Sequence, residues 1–392
     1  MRLNTFYLAI LLGVSSFADA KEPYSVWLKT IQQEAIDSGI SANAVNVTLK
    51  NAKLLPRVIK LDRAQPEFVT PFLSYMNARV TPNQIAQGRA LLSQHDAELA
   101  KVEQQYGVPA TLLVAFWGME THYGRVKGNF GLPSTLATLA YDGRRADFFK
   151  SQLFDTMRIV EAGHESVKAL RGSWAGAFGH MQFMPSTFMK YAVDADRDGK
   201  INLIDSIPDT FASAANYLSK AGWVKAQPAA IEVKLPANFD YSLAQLTLKK
   251  TTVEWVLLGV TPASTTPLPV LESTAILLPQ GWRGPAFLVT PNFDVVMDWN
   301  KSVKYALAVA HLADNLKADK PLLGGLDAEN GALSYQQMWA FQEKLNALGF
   351  DCGAPDGFPG LKTQVAIRQY QQGNQLPQDG YASISLYERL IH

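Results

Sequence analysis

Ala110-Thr-Leu-Leu-Val-Ala-Phe-Trp-Gly-Met-Glu120 is the stretch whose reading decides the fold. Leu112, Phe116 and Met119 share one helical face, and Leu113, Val114 and Trp117 widen it until it runs nearly all the way round. A helix that is apolar on every side belongs inside a helical domain, not on its surface. Its first charge is Glu120, followed by Thr121-His122-Tyr123-Gly124, so the carboxylate is expected where a core helix emerges into a cleft. Apolar surroundings and the negative end of a helix both disfavour an ionised carboxylate. A carboxyl that keeps its proton near neutral pH is what a general acid requires. An ordinary solvated glutamate at a helix end fits this segment equally well, so the segment alone leaves the chemistry open.

Outward from this helix the pattern stays mainly α. Val26, Ile31, Ala35 and Ile36 recur at near-helical spacing, and Ser41 suits the cap of the next helix. Pro56, Pro66, Pro71 and Pro82 cut the following stretch into short pieces, and residues 82–105 read as one helix. Gly107-Val108-Pro109 ends it and opens the central helix. Helices are expected to continue to Tyr217, interrupted by glycine-rich turns at 124–131 and 172–179. Ile231, Val233 and Leu235 then alternate with charged residues, which predicts a small β-containing subdomain over about 226–290. Helix returns at 303–316. Residues 319–331 read as a linker rich in Pro, Gly and polar residues, and 332–392 as a separate small unit.

The chain has 392 residues, enough for more than one core, with 18% charged residues and a formal net charge of +1. A nucleic-acid partner is excluded, because the pairs Arg144-Arg145 and Lys249-Lys250 are too short to form a basic stripe. Arg2, the apolar run 6–14 and the small residues Ala18 and Ala20 have the layout of a secretory signal over residues 1–20. That run is shorter than the roughly 20 apolar residues of a membrane span. With no cysteine near the cleavage point to carry a lipid, the expectation is a soluble periplasmic protein. Cys352 is the single cysteine, so it closes no internal disulfide, and its neighbours offer no activating base. The six histidines are scattered and no His-Glu-x-x-His segment occurs, which argues against a metal-dependent hydrolase.

Three blocks carry a family resemblance. They are Trp117-Gly-Met-Glu-Thr-His-Tyr-Gly124, residues 135–149 from Thr135 to Phe149, and Gly172-Ser-Trp-Ala-Gly-Ala-Phe-Gly-His-Met-Gln-Phe-Met-Pro-Ser186. With Pro291-Asn-Phe293 and the stretch from Trp299-Asn300 to Tyr305, the chain resembles the lytic murein transglycosylase B family over most of residues 25–315. The resemblance implies a lysozyme-like catalytic domain over 21–318. It implies cleavage of the MurNAc-GlcNAc β-1,4 bond of peptidoglycan without water, the muramic C6 hydroxyl attacking C1 to leave a 1,6-anhydro end. Glu120 would then be the only protein acid and base, and no organic cofactor is required. This bears on a second carboxylate, for which Asp142, Asp147, Glu161 and Glu165 are open by sequence. By position, the resemblance implies substrate contacts at Ser173, Gln182, Arg144, Arg145, Tyr217, Trp299, Asn300 and Tyr305. Trp299 departs from the family, where tyrosine is expected.

Asp194-Ala-Asp196-Arg-Asp198-Gly199-Lys200-Ile-Asn202-Leu-Ile-Asp205 fits the twelve-residue EF-hand calcium loop. Oxygen ligands fall on Asp194, Asp196, Asp198, Asn202 and Asp205, Lys200 would lend its backbone carbonyl, and Gly199 takes the turn. Asp205 stands where glutamate is usual. The resemblance implies the same loop, and a structural calcium ion is expected. At the C-terminus, Trp339, Phe341, Leu345 and Leu348, then Asp356-Gly357 and Asp379-Gly380, are similar to a three-helix peptidoglycan-binding domain. The partners expected are glycan strands and stem peptides, with other cell-wall enzymes open, and the protein is expected as a monomer. Two alternatives stand beside this reading: a lysozyme-like muramidase that uses water, and a non-catalytic wall-binding scaffold.

Overall fold

The computed structural model describes residues 22–63, 70–329 and 331–391. The expected export signal, 1–20, lies outside the described residues. Among the described residues, no helix is long and apolar enough to cross a membrane.

Helix α7 (Ala110–Thr121) is the axis of the main body, and every residue from Leu112 to Met119 is buried. It lies against α14 (Val303–Lys317) and α5 (Pro82–Gln94), with α6 (Asp96–Tyr106) and α11 (Ile207–Lys220) completing its surroundings. Phe116 has no exposed surface. Truncating such a phenylalanine costs about 3–5 kcal/mol, because the cavity left behind closes only in part. Helices α1 (Tyr24–Asp37) and α2 (Ala42–Leu49) pack together at the N-terminus, and Ser41 caps α2 by accepting the Ala44 N–H at 3.3 Å. Of the apolar residues expected to drive α1, Ile31 and Ala35 are buried but Val26 is 48% exposed. The helix expected over 82–105 is two helices, broken at His95, whose φ of −109° leaves the helical region.

Helices α8 (Leu132–Asp142) and α9 (Ala146–Glu161) form an antiparallel pair, and α10 (Pro185–Tyr191) covers α9. Between them the chain folds into a miniature sheet. Strand β1 (Phe130–Gly131) pairs with β2 (Arg171–Gly172), and bridges join Gly172 to Phe178 and Phe178 to Phe183. Gly128 and Gly172 are required here: a Cβ on Gly172 would collide with the Ala177 carbonyl, and one on Gly128 with the Gly172 backbone.

The β-containing subdomain is a four-stranded antiparallel sheet of order β4-β3-β6-β5. Its strands are β3 (Ala230–Lys234), β4 (Thr261–Pro262), β5 (Ala275–Leu277) and β6 (Ala286–Val289). Ile231 pairs with Leu288 and Val233 with Ala286. One face closes over its own small core, centred on fully buried Trp255. Helix α12 (Thr252–Leu257) starts with a capping box between Thr251 and Glu254, and α13 (Pro291–Trp299) leads back to the main body.

The segment read as a linker is fastened along this sheet. The Leu323 and Gly324 N–H groups donate to Glu232 Oε1 at 2.9 and 2.7 Å, and Ala328 is buried. Beyond it α15 (Tyr335–Ala347), α16 (Leu361–Gly373) and α17 (Ile384–Ile391) enclose a second core of Phe341, Leu345, Ile367 and Leu390. Of the four residues that mark the helical pattern of α15 and its end, Phe341 and Leu345 are buried, whereas Trp339 and Leu348 are 38% and 50% exposed. Two buried glutamines organise the Asp-Gly turns. The Gln342 amide donates to Asp356 and accepts the Gly357 N–H, and Gln371 does the same with Asp379 and Gly380. Cys352 is buried, and its burial, then Asp351, pushes the thiol up to about 11.

Candidate active site

Glu120 is the penultimate residue of α7, half-buried where the helix stops. The stop is enforced by the next two residues, His122 and Tyr123, both left-handed at φ 49° and 60°. Their N–H groups return to Gly118 and Trp117 at 3.0 and 3.1 Å, so the last carbonyls of the helix are satisfied. The Tyr123 ring then lies against the helix, where a Cβ on Gly118 would come within 2.8 Å of it, and its hydroxyl donates to Gln84 O at 2.7 Å. Glu120 thus stands on a fixed terminus.

Two donors meet on one oxygen of its carboxyl. Trp299 Nε1, from the last residue of α13, donates to Oε1 at 2.9 Å. The Tyr305 hydroxyl, from the first turn of α14, donates to the same atom. Tyr305 is buried, and its burial together with the neighbouring Glu120 holds the phenol well above its ordinary range, so it remains a donor at every working pH. Trp299 is itself seated by Phe116, with ring centroids 4.5 Å apart.

The same indole begins an aromatic wall. Tyr217 of α11 meets Trp299 edge-on at 5.0 Å, Phe183 lies at 5.4 Å, and Tyr191 backs Tyr217 at 4.7 Å. Burial, then Asp298 and Tyr191, pushes the Tyr217 phenol up to about 12. Asn300 ends α13 and is exposed. Gln182 is left-handed at φ 49° and gives its amide N–H groups to Lys127 O and Gly179 O at 3.1 and 3.0 Å. Ser173 Oγ accepts the Ala177 N–H at 3.1 Å and closes the turn that Gly172 begins.

Behind this hairpin lies the acidic loop. Gly199 is left-handed at φ 88°, as the loop pattern demands, and Asp194 Oδ2 accepts its N–H at 3.0 Å. Asp198 accepts the Lys200 N–H, and Asn202 accepts those of Ile204 and Asp205. The carboxylate oxygens that lie together, within 4.8 Å of one another, belong to Asp194, Asp196 and Asp209. Asp209 therefore joins the cluster from the first turn of α11, in the place expected for Asp205. Burial raises the Asp209 carboxyl despite the N–H donors of Asn202 and Ala195. Asp194 Oδ1 is buried with no hydrogen-bond partner. The loop also reaches the site, because Leu203 O accepts the His180 N–H at 2.9 Å, and His180 O accepts the Thr121 hydroxyl next to Glu120 at 2.8 Å.

Residues 23–314 match the Transglycosylase SLT domain family, and residues 334–390 match the peptidoglycan binding domain family. The Membrane-bound lytic murein transglycosylase B of Escherichia coli strain K12 is 34% identical over 292 residues, which are 70% of this chain and 78% of that protein. The chain belongs to the lytic murein transglycosylase B family. Among solved members, SltB3 of Pseudomonas aeruginosa in complex with NAG-anhNAM-pentapeptide is 42% identical, with a TM-score of 0.91 over 94% of this chain and 99% of that one. SLT35 of Escherichia coli in complex with calcium is 30% identical, with a TM-score of 0.65 over 74% and 92% of the two chains.

In this transglycosylase, Trp299 and Tyr305, read from sequence as substrate contacts, bond the carboxyl of Glu120 itself. Arg144 and Arg145 converge on buried Asp62 at the end of α3 (Pro56–Arg63). Arg144 grips both carboxylate oxygens at 2.8 Å, and Arg145 shares Oδ1 at 2.8 Å. Burial raises the Asp62 carboxyl, but the two arginines outweigh it and hold it below the usual aspartate range. Two of the four residues open as a second carboxylate, Asp142 and Glu161, are placed by other partners. Asp142 pairs with Arg63 and Glu161 accepts the Ser41 N–H, whereas Glu165 is buried with Oε1 unpartnered, its pKa raised to about 7 by burial and then Asp205. Sequence reasoning missed Asp209, Phe183 and the pair Trp117–His180. Trp117 Nε1 donates to His180 Nδ1 at 2.9 Å, and the glycine at 124 leaves room for that imidazole. Trp117 and His180 both lie in the blocks that carry the resemblance, yet nothing in either block says that they touch.

Proposed function

We propose that this chain is a peptidoglycan lytic transglycosylase in which Glu120 is the sole protein acid and base. The observation that carries the reading is the Glu120 carboxyl itself, held at Oε1 by Trp299 and Tyr305 at the foot of an aromatic wall. The family relationship, and the muropeptides bound by its solved relative, name the polymer. A proton on the Glu120 carboxyl passes to the glycosidic oxygen between MurNAc and GlcNAc as the bond to C1 breaks. The muramic C6 hydroxyl then adds to C1, and its proton returns to the Glu120 carboxylate. The product is a 1,6-anhydro-MurNAc end, water takes no part, and the carboxyl is restored for the next cycle.

Tyr217 and Trp299 offer ring faces for sugar packing, with Asn300 and Gln182 beside them to bond hydroxyl and acetamido groups. Ser173 shapes the hairpin under this surface. Arg144 and Arg145, about half exposed, keep donors to spare for the peptide while Asp62 fixes their positions. The acidic loop fits calcium. Oxygen ligands lie about 2.3–2.6 Å from the ion, a spacing that three carboxylate oxygens within 4.8 Å of each other satisfy, and Asp194 Oδ1 lacks any other partner. Asp194, Asp196 and Asp209 would hold the ion, with Asp198, Asn202 and the Lys200 carbonyl adjacent. The ion would brace the hairpin and supply no chemistry. Residues 1–20 favour export to the periplasm, where the substrate lies.

The test is digestion of purified peptidoglycan, with the released muropeptides weighed by mass spectrometry. Products one water lighter than hydrolysed muropeptides and lacking a reducible end are expected from the wild type, and Glu120→Gln should lower their release by about 10²–10⁴-fold. Ordinary reducing ends would make water the nucleophile and this reading wrong.

A further inference from the structure

A half-open pocket lies between the small sheet and the C-terminal helices. Its volume is about 270 Å³. One wall is the turn Gln280–Arg283 between β5 and β6, and the other is built from the Asp379 turn and α17. The two walls are held in register by direct bonds. Trp282 N donates to Asp379 Oδ2 at 2.8 Å, Gln280 Nε2 to Glu329 O at 2.9 Å, and Arg368 NH2 to Ala244 O at 2.9 Å.

The charges in this cavity divide into two groups. The carboxylates serve the fold: Asp379 accepts from Gln371, from the Tyr381 N–H and from Trp282, and Glu329 accepts the Ser385 hydroxyl at 3.1 Å. The cations make no ion pair within the fold. Arg283 and Arg389 are exposed, and among the described residues neither has a carboxylate within ion-pair distance. Arg283 lies 4.8 Å from the Trp282 ring, and that indole is itself 40% exposed at the mouth. The cavity therefore presents two guanidinium groups and an aromatic plane, with hydroxyls at Ser383 and Ser385.

We propose that this composite pocket binds the free carboxylate end of a peptidoglycan stem peptide, with Arg283 and Arg389 on the carboxylate and Trp282 against its alkyl part. The proposal rests on the transglycosylase reading for its choice of polymer. Size and charge select the peptide over the glycan. The cavity falls just below the roughly 300 Å³ at which ligand pockets begin, which suits a peptide end and not a run of sugars. Paired guanidinium groups call for an anion, and the free carboxylates of the wall polymer are on its peptides. The recognition site of the C-terminal unit is then shared with the catalytic unit, which contributes Trp282 and Arg283.

The experiment is calorimetric titration of the full mature chain with a soluble stem tetrapeptide, and separately with a peptide-free chitooligosaccharide. The tetrapeptide should bind once per chain, and Arg283→Ala and Arg389→Ala should each weaken it by about tenfold or more, the range of a charge-assisted bond. No binding of the tetrapeptide, wild-type affinity in both arginine variants, or loss of oligosaccharide binding alone in these variants would overturn the proposal. A kinetic readout separates it from the parent reading. Arg389→Ala should raise KM on peptide-bearing sacculi and leave the cleavage of peptide-stripped glycan unchanged. If the wild type releases anhydro ends but binds no tetrapeptide, only this pocket assignment fails. If the tetrapeptide binds and no anhydro ends appear, the pocket stands and the catalytic reading fails.

Discussion

A carboxyl that must give up a proton and then take one back needs a fixed orientation at both moments. In this chain Trp299 and Tyr305 supply it, both through Oε1 of Glu120. Trp299→Phe keeps the ring on Phe116 but loses the N–H, and Tyr305→Phe loses the hydroxyl alone. Each should lower kcat by about 10- to 100-fold with little change in KM, since a hydrogen bond to a charged group is worth about 1.5–3 kcal/mol. A rise in KM at constant kcat would make them sugar contacts, as the sequence alone implied. His180 carries a second prediction. Burial, then Lys127, lowers its imidazole to about 4, so it is neutral against Trp117 in the folded state. In the unfolded chain it titrates near 6.5. Its contribution to stability is complete above that value and is lost as pH falls from about 6.5 toward 4, by up to about 3 kcal/mol in all. Urea melts across that window should show the loss, and His180→Gln should flatten it.

At the scale of elements, α7 was legible because its burial is one-dimensional: eight consecutive residues face the core, and no partner needs to be known to see it. Glu120 was legible for the same reason, as the first charge after that run. The partners of Glu120 were not, because Trp299 and Tyr305 arrive from two helices almost two hundred residues later, and spacing along the chain carries no record of that meeting. The break at His95 was hidden as well, since His95 is no helix breaker by type, and the packing of α6 against α11 beyond it is not written in the local spacing. The acidic loop was read to its twelfth position and no further. The carboxylate that reaches the cluster is Asp209, a residue that by sequence looks like ordinary acidic decoration of a helix start. Calcium should therefore raise Tm relative to a chelated sample, the ion adding about 2.7 kcal/mol at a hundredfold excess over Kd. Asp209→Asn should abolish that increment, and Asp205→Asn should leave most of it. Scanning calorimetry with and without chelator checks both.

Seen whole, the molecule joins a cutting unit to a holding unit along the small sheet, with Glu232, Trp282 and Ala244 on one side meeting Leu323, Asp379 and Arg368 on the other. Deleting residues 332–392 should leave the release of anhydro products from short soluble strands within about threefold of the full chain, since Glu120 and its wall lie entirely outside the deleted part. Sedimentation of the truncated protein with intact sacculi should drop severalfold. Comparable loss of both would place part of the catalytic machinery in the C-terminal helices. The lone thiol gives a way to watch the holding unit by itself. Cys352 is shut inside that unit, with its ionisation suppressed, and no other sulfhydryl competes for reagent. Under native conditions an alkylating probe can mark the chain only when those helices part. The rate of marking is then a built-in clock for their opening, and it should slow when a stem peptide clamps the two units together.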